Sequence, residues 1–132
     1  MSIKVSVKQL VDEANANIDT ISVVDAKAAL DDDNTVIVDI RDIRELYREG
    51  KIPGALHAPR GMLEFWVDPD SEYHREVFSS GKRFALYCAK SHRSALSTQT
   101  LQNMGLTPIC HIGGGFEAWK QAGMPVEEVP KK

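Results

Sequence analysis

A chain of 132 residues holds one ordinary domain and leaves no room for a second sizeable core. Its 42% hydrophobic and 27% charged content excludes a disordered chain, and no apolar run approaches the roughly 20 residues of a membrane-spanning helix. A net charge of −3 excludes the basic excess expected of a nucleic-acid binder, so neither nucleic acid nor membrane is an expected partner.

Residues 5–16 carry Val7, Leu10, Val11 and Ala14 at helical spacing. This start lacks the continuous apolar core of a secretion signal, so the expected location is cytoplasmic. Ser22 can cap a second helix through about Leu30, with Asp25 three residues on. Asp31-Asp32-Asp33-Asn34 reads as a solvated loop, because a calcium loop needs further oxygen ligands. Val36–Ile40 is a short β-branched run, as in a strand buried on both faces. A helix over 42–49 stops at Gly50, and Ile52-Pro53-Gly54 turns the chain into a short strand over Ala55–Ala58. Residues 61–80 read as short helices and loops, with Phe65 and Trp66 covering the sheet edge. Phe84–Cys88 is a second buried strand, Ser94–Met104 a helix closed by Gly105, and Pro108–Ile112 a third long strand. Gly113-Gly114-Gly115 leads into a helix through Ala122, closed by Gly123. Alternating strands and helices predict an α/β domain with a mostly parallel sheet. The C-terminal PKK reads as a frayed end.

In such sheets the active site lies beyond the carboxyl ends of the strands. Asp39 and Arg41 end the first strand, Cys88 the second and the glycines the third. Two cysteines, Cys88 and Cys110, cannot build a disulfide scaffold or a four-thiolate zinc site, so cysteine chemistry here rests on a single reactive thiol. The segment Cys88-Ala89-Lys90-Ser91-His92-Arg93-Ser94 places a cysteine at a strand end, four residues before an arginine that opens a helix. A tight loop there can turn its N–H groups around the sulfur, and the helix terminus, Lys90, Arg93 and His92 add positive field. These terms favour thiolate, the nucleophilic form. Cys110, among apolar neighbours, reads as a small core residue. His57, His74 and His111 show no metal-ligand spacing, so no metal and no cofactor is expected. The glycines lack Gly-x-Gly-x-x-Gly and read instead as a close approach to the Cys88 loop.

Three motifs, in order across about residues 22–126, resemble the rhodanese family. They are Asp39-Ile-Arg41 with Glu45 and Gly50-Lys-Ile-Pro53-Gly54-Ala55; Tyr87-Cys88-x4-Arg93-Ser94; and Gly113-Gly114-Gly115-Phe-x-Ala118-Trp119-x-x-Ala122-Gly123-x-Pro125-Val126. The resemblance implies a rhodanese-like fold, a five-stranded, mainly parallel sheet with helices on both faces. The expected organisation is an N-terminal helical extension (1–20), the rhodanese domain (21–128) and a tail (129–132).

The resemblance also implies a thiosulfate sulfurtransferase. Cys88 would take the sulfane sulfur of thiosulfate or a persulfide donor and pass it to cyanide or a thiol. Amides of residues 89–93 would stabilise the persulfide anion, with Ala89, Lys90, Ser91, His92 and Arg93 binding substrate and Lys90 at the sulfonate. Many loops of the family carry glycine at the position of Ser91, which must tolerate φ > 0 here at some cost. Lys51 replaces a turn histidine. Asp39, Arg41 and Glu45 are structural supports, with Asp39 set to pair with an arginine or cap the next turn and Arg41 to anchor a loop carboxylate such as Glu45. Arg60 either reaches the pocket mouth as a second cation or is a plain surface arginine. The alternatives are a persulfide carrier serving a protein partner, or a regulatory module without turnover. A minor alternative is a cysteine phosphatase or arsenate reductase, whose loops are longer.

Overall fold

A computed structural model describes residues 2–132. Its sheet is set by β-branched and apolar runs too short for helices, each followed by a helix that crosses back over one face. The strands are β1 (Asp19–Ile21), β2 (Thr35–Asp39), β3 (Leu56–His57), β4 (Arg83–Tyr87) and β5 (Ile109–Ile112), in the order β1-β5-β4-β2-β3. All the pairings are parallel. The helices are α1 (Val7–Asn17), α2 (Val23–Ala29), α3 (Ile43–Glu49), α4 (Leu63–Val67), α5 (His92–Asn103) and α6 (Gly115–Gln121). Short 3₁₀ turns occupy Arg60–Met62 and Glu76–Ser79.

The pleat divides β4 between two cores. Ala85 and Tyr87 face a cluster with Ala26, Phe116 and Trp119 from α2 and α6. Phe84, Leu86 and Cys88 face a cluster with Leu63, Val67, Phe78 and Leu101. Helices therefore cover both faces, and the five-stranded α/β sheet is the one the family resemblance implies.

Element ends lie within about two residues of the expected ones. Ser22 caps α2 by accepting from the Asp25 N–H at 3.1 Å. Asp42 caps α3 in a reciprocal box with Glu45. Gly50 closes that helix at φ 79°, and a Cβ there would meet the Glu127 carbonyl oxygen at 2.7 Å. Glu127 in turn exchanges both backbone hydrogen bonds with Lys51 at 2.9 Å, so the C-terminal segment lies strapped across the turn before β3. Trp119 secures it from beneath, donating its indole N–H to the Pro125 carbonyl at 2.7 Å.

The edge strand β1 has no counterpart in the sequence reading. Its three residues are largely exposed and show no alternation. It straddles the expected boundary at residue 20, and α1 before it packs on α5 through Ala14, Ile18 and Ala95. Truncating Ile18 to alanine is therefore expected to cost about 2–4 kcal/mol in chemical denaturation while keeping one cooperative transition. A loss under about 0.5 kcal/mol would show α1 to be a loosely attached extension.

Candidate active site

Cys88 is the first residue past β4, 1% exposed at the carboxyl edge of the sheet. Its Sγ accepts the backbone N–H groups of Ser91 at 3.2 Å and Ser94 at 3.4 Å. Ser91 belongs to the expected set of loop amides, whereas Ser94 lies one residue beyond it. Ser91 is the one non-glycine residue with positive φ among the described residues, at 126°. A conformation of that kind costs about 1–3 kcal/mol and persists only where the surroundings enforce it.

The enforcement comes from α6. The carbonyls of Cys88 and Ala89 accept the backbone N–H groups of Phe116 at 2.8 Å and Glu117 at 3.0 Å. With these carbonyls tied to α6, the opposite edge of the loop presents donors to the sulfur. Gly115 permits the approach. Its φ is +60°, and a Cβ would lie 2.5 Å from the Cys88 carbonyl oxygen and 2.8 Å from that of Ala89.

Arg93, in the first turn of α5, donates a fork of hydrogen bonds to Glu45, at 2.8 Å to Oε1 and 3.1 Å to Oε2. That pairing holds the Glu45 carboxyl below its ordinary range against the opposing effect of burial. Glu45 likewise raises the Arg93 guanidinium, with a smaller contribution from the Cys88 sulfur nearby. Arg93 thus braces α3 against α5 while setting its charge beside the sulfur. Lys90 is exposed, and its side chain makes no hydrogen bond or ion pair among the described residues. His92 turns away, lining a cleft with Val7, Lys8, Val11 and Asp12 of α1. Arg60 lies exposed in a different cleft, against α5 and apart from the Cys88 loop.

Arg41 does not anchor Glu45. Wholly buried, it clamps Asp39 through Nε and Nη2 at 2.8–3.2 Å and donates to the Gly50 carbonyl at 2.7 Å. Its guanidinium lies 4.3 Å from the centre of the Phe116 ring. Burial opposes its charge most strongly, but the Asp39 hydrogen bonds together with charge attraction from Asp39, Tyr87 and Glu45 outweigh it and raise its pKa. Tyr87 donates its hydroxyl to Asp39 and accepts the Ile52 N–H at 3.0 Å. Burial, reinforced by Asp39, pushes the Tyr87 hydroxyl well above its ordinary range. Breaking one partner of such a pair costs about 3–5 kcal/mol.

Two supports escaped the sequence reading. Tyr87 stood in a quoted motif without a role. His111, weighed only as a metal ligand, is 2% exposed, with Nδ1 2.9 Å from Ser94 Oγ and Nε2 3.0 Å from Thr20 Oγ1. Ser94 Oγ also donates to the Ser91 carbonyl at 3.1 Å. Burial lowers the His111 pKa. A histidine inside an apolar strand was the available signal, since a buried polar group needs partners. Cys110 is buried and free, and its thiol pKa is raised by desolvation, in keeping with a core residue.

The model of the rhodanese-like domain family matches residues 22–122. An uncharacterized protein of Synechocystis is 37% identical over 93 residues, covering 70% of this chain and 47% of that protein. Curated relatives of this kind are longer, and the chain spans about half the length of the Synechocystis protein. A solved structure from Rhodopseudomonas palustris, described as a protein of unknown function and possible tyrosine phosphatase, is 50% identical. It covers 96% of this chain and 98% of its own, with a TM-score of 0.93. The polysulfide-sulfur transferase homodimer of Wolinella succinogenes is 26% identical with a TM-score of 0.70, covering 92% of this chain and 87% of its own.

Two outcomes follow from the loop. Ser91→Gly should stabilise the protein by about 0.5–1 kcal/mol, strain relief exceeding the added freedom of the unfolded chain. Ser91→Ala should give no such gain, and equal effects in denaturation would contradict the strain. For Glu45 the folded pKa is depressed, so its stabilisation is complete above the ordinary glutamate range and fades as pH falls through the folded value. With the Arg93 side chain 37% exposed, screening limits the pair to about 1 kcal/mol or less. The stability gap between wild type and Glu45→Gln should therefore shrink as pH falls through and below the ordinary glutamate range. A pH-independent gap would contradict the assignment.

Proposed function

The chain belongs to the rhodanese-like domain family, and on that premise we propose that it is a sulfurtransferase carrying a sulfane sulfur on Cys88 as a persulfide. The observation that supports this most is the convergence of the Ser91 and Ser94 amides on Sγ. Hydrogen bonds from such fixed donors stabilise negative charge by about 1.5–3 kcal/mol each and need no reorganisation as charge moves.

In the first half-reaction the Cys88 thiolate attacks the outer sulfur of thiosulfate. A bond forms from Sγ to that sulfur, the sulfur–sulfur bond of the donor breaks, and its electron pair leaves on sulfite. Charge is conserved, because a thiolate and a dianion become a persulfide anion and sulfite. In the second half-reaction cyanide or a thiolate attacks the outer sulfur, and the electron pair of the persulfide bond returns to Sγ. Lys90, exposed beside the loop, offers its ammonium to the sulfonate of the donor. Arg93 contributes its charge near the sulfur while its hydrogen bonds hold Glu45. A persulfide donor in place of thiosulfate uses the same steps. So does a protein thiol in place of a small acceptor.

The description of the Rhodopseudomonas palustris structure favours a second reading, phosphoryl transfer on the same sulfur. The loop argues against it. Only residues 89–92 separate Cys88 from Arg93, and the two donors converge on the sulfur itself, which suits one added sulfur better than a tetrahedral phosphate.

Thiosulfate should add about 32 Da to the wild-type protein by mass spectrometry and nothing to Cys88→Ser. Thiocyanate formation from thiosulfate and cyanide should fall in that variant on the order of 10³-fold or more. Sulfur uptake without thiocyanate would favour a carrier. Neither uptake nor turnover, with hydrolysis of an aryl phosphate, would establish the phosphatase reading instead.

A further inference from the structure

A line of polar side chains runs from the edge of the sheet to the reactive loop. Thr20 of β1, His111 of β5 and Ser94 of α5 compose it. Thr20 Oγ1 lies 3.0 Å from His111 Nε2, and His111 Nδ1 lies 2.9 Å from Ser94 Oγ. Ser94 Oγ is in turn 3.1 Å from the Ser91 carbonyl oxygen. Ser94 and His111 are both buried, so each depends on the other for a partner. Thr20 precedes the residues that the family model matches, so this line ties β1 to the family's loop.

The proton directions follow from the last member of the line. A carbonyl oxygen only accepts, so the single hydroxyl proton of Ser94 points to Ser91. Ser94 Oγ then faces His111 with lone pairs alone, and His111 must donate to it from Nδ1. Burial lowers the His111 pKa, which favours the neutral ring. A neutral ring with its proton on Nδ1 carries a bare Nε2, to which Thr20 donates. Each donor in the line then meets one acceptor.

The far end of the line is the sulfur cradle. Ser94 contributes the amide 3.4 Å from Cys88 Sγ, and Ser91 the amide at 3.2 Å. The Ser91 carbonyl takes two donors, Ser94 Oγ and the Ala95 N–H at 2.9 Å, in the residue whose φ is 126°. With its proton committed to that carbonyl, Ser94 ties together the two residues whose amides meet the sulfur. A donor at His111 Nδ1 enforces this commitment. An acceptor there would draw the same proton away from Ser91.

We infer that His111, as its Nδ1–H tautomer, is a positioning residue for sulfur transfer: through Ser94 Oγ it aims the amides of Ser91 and Ser94 at the Cys88 sulfur. The inference rests on the sulfur-transfer reading of Cys88. Both ring nitrogens are engaged away from the sulfur, so His111 acts on the step in which charge moves and leaves thiosulfate binding alone.

NMR of the histidine ring nitrogens in isotope-labelled protein reads the tautomer directly. Wild type should show a protonated Nδ1 and a bare Nε2 for His111, unchanged across the ordinary histidine range. A protonated Nε2, or a ring that titrates there, would overturn the inference. Single-turnover sulfur uptake from thiosulfate, followed by mass spectrometry, reads the function. His111→Asn keeps an amide donor at the Nδ1 position, His111→Gln reaches only the Nε2 position, and His111→Phe has neither. The maximal uptake rate should fall on the order of tenfold in the Gln and Phe variants and less than about threefold in the Asn variant. The half-saturating thiosulfate concentration should change less than about twofold in all three. Asn and Gln both bury an amide, so a merely structural role would slow both alike. Equal rates in those two variants, or an effect on half-saturation alone, would overturn this inference while leaving sulfur transfer intact. The tautomer is read in wild type, so a variant that fails to fold leaves that test standing. Absence of persulfide in wild type would overturn the reading beneath, and this role with it.

Discussion

Two hydrogen bonds from the first turn of α6 to the carbonyls of Cys88 and Ala89 organise the rest of the site. A peptide loop has donors and acceptors in equal number, and a loop that stabilises an anion must put its acceptors elsewhere. Here they go to Phe116 and Glu117, which leaves the amides of Ser91 and Ser94 to meet the sulfur. Gly115 makes this contact sterically possible, because a side chain there would collide with both carbonyls. The strain at Ser91 is the local consequence of turning a strand into a helix within so few residues.

The contact is only as firm as the position of α6. Phe116 from α6 packs under the Arg41 guanidinium, which is locked to Asp39 and to the end of α3. Buried ion pairs contribute little net stability, because desolvation offsets attraction. This one instead fixes geometry, joining β2, α3 and α6 at the edge of the sheet where the sulfur lies. Glu45 with Arg93 braces the other side, and His111 with Ser94 supports the loop from below. The Cys88 thiol thus stands among groups whose rotamers are set by other contacts, the arrangement that preorganised sites require.

Much of this was legible in the residues. The β-branched run at 36–40 and the apolar runs at 84–88 and 108–112 marked β2, β4 and β5, while the cap at Ser22 and the stop at Gly50 bounded α2 and α3. The family motifs supplied the strand count. The need for positive φ at Ser91 was readable because a glycine commonly stands there. Three features were wholly or partly hidden, for physical reasons. β1 is three residues long and mostly exposed, so no periodicity marks it. Asp39 was expected to pair with an arginine and pairs with Arg41, whereas the anchoring of Glu45 expected of Arg41 falls to Arg93, because side-chain direction at a strand end is not fixed by spacing. His111 acts through Thr20 and Ser94, both distant in sequence, which no local pattern reveals.

On the proposed function, the Cys88 loop is a cradle for one added sulfur. A crystal structure of the protein after treatment with thiosulfate tests it most directly. A single extra sulfur should be bonded to Sγ and lie within about 3.5 Å of amide nitrogens of the 89–94 loop. An unmodified thiol in that crystal, or a tetrahedral oxyanion held in the loop in its place, would contradict it.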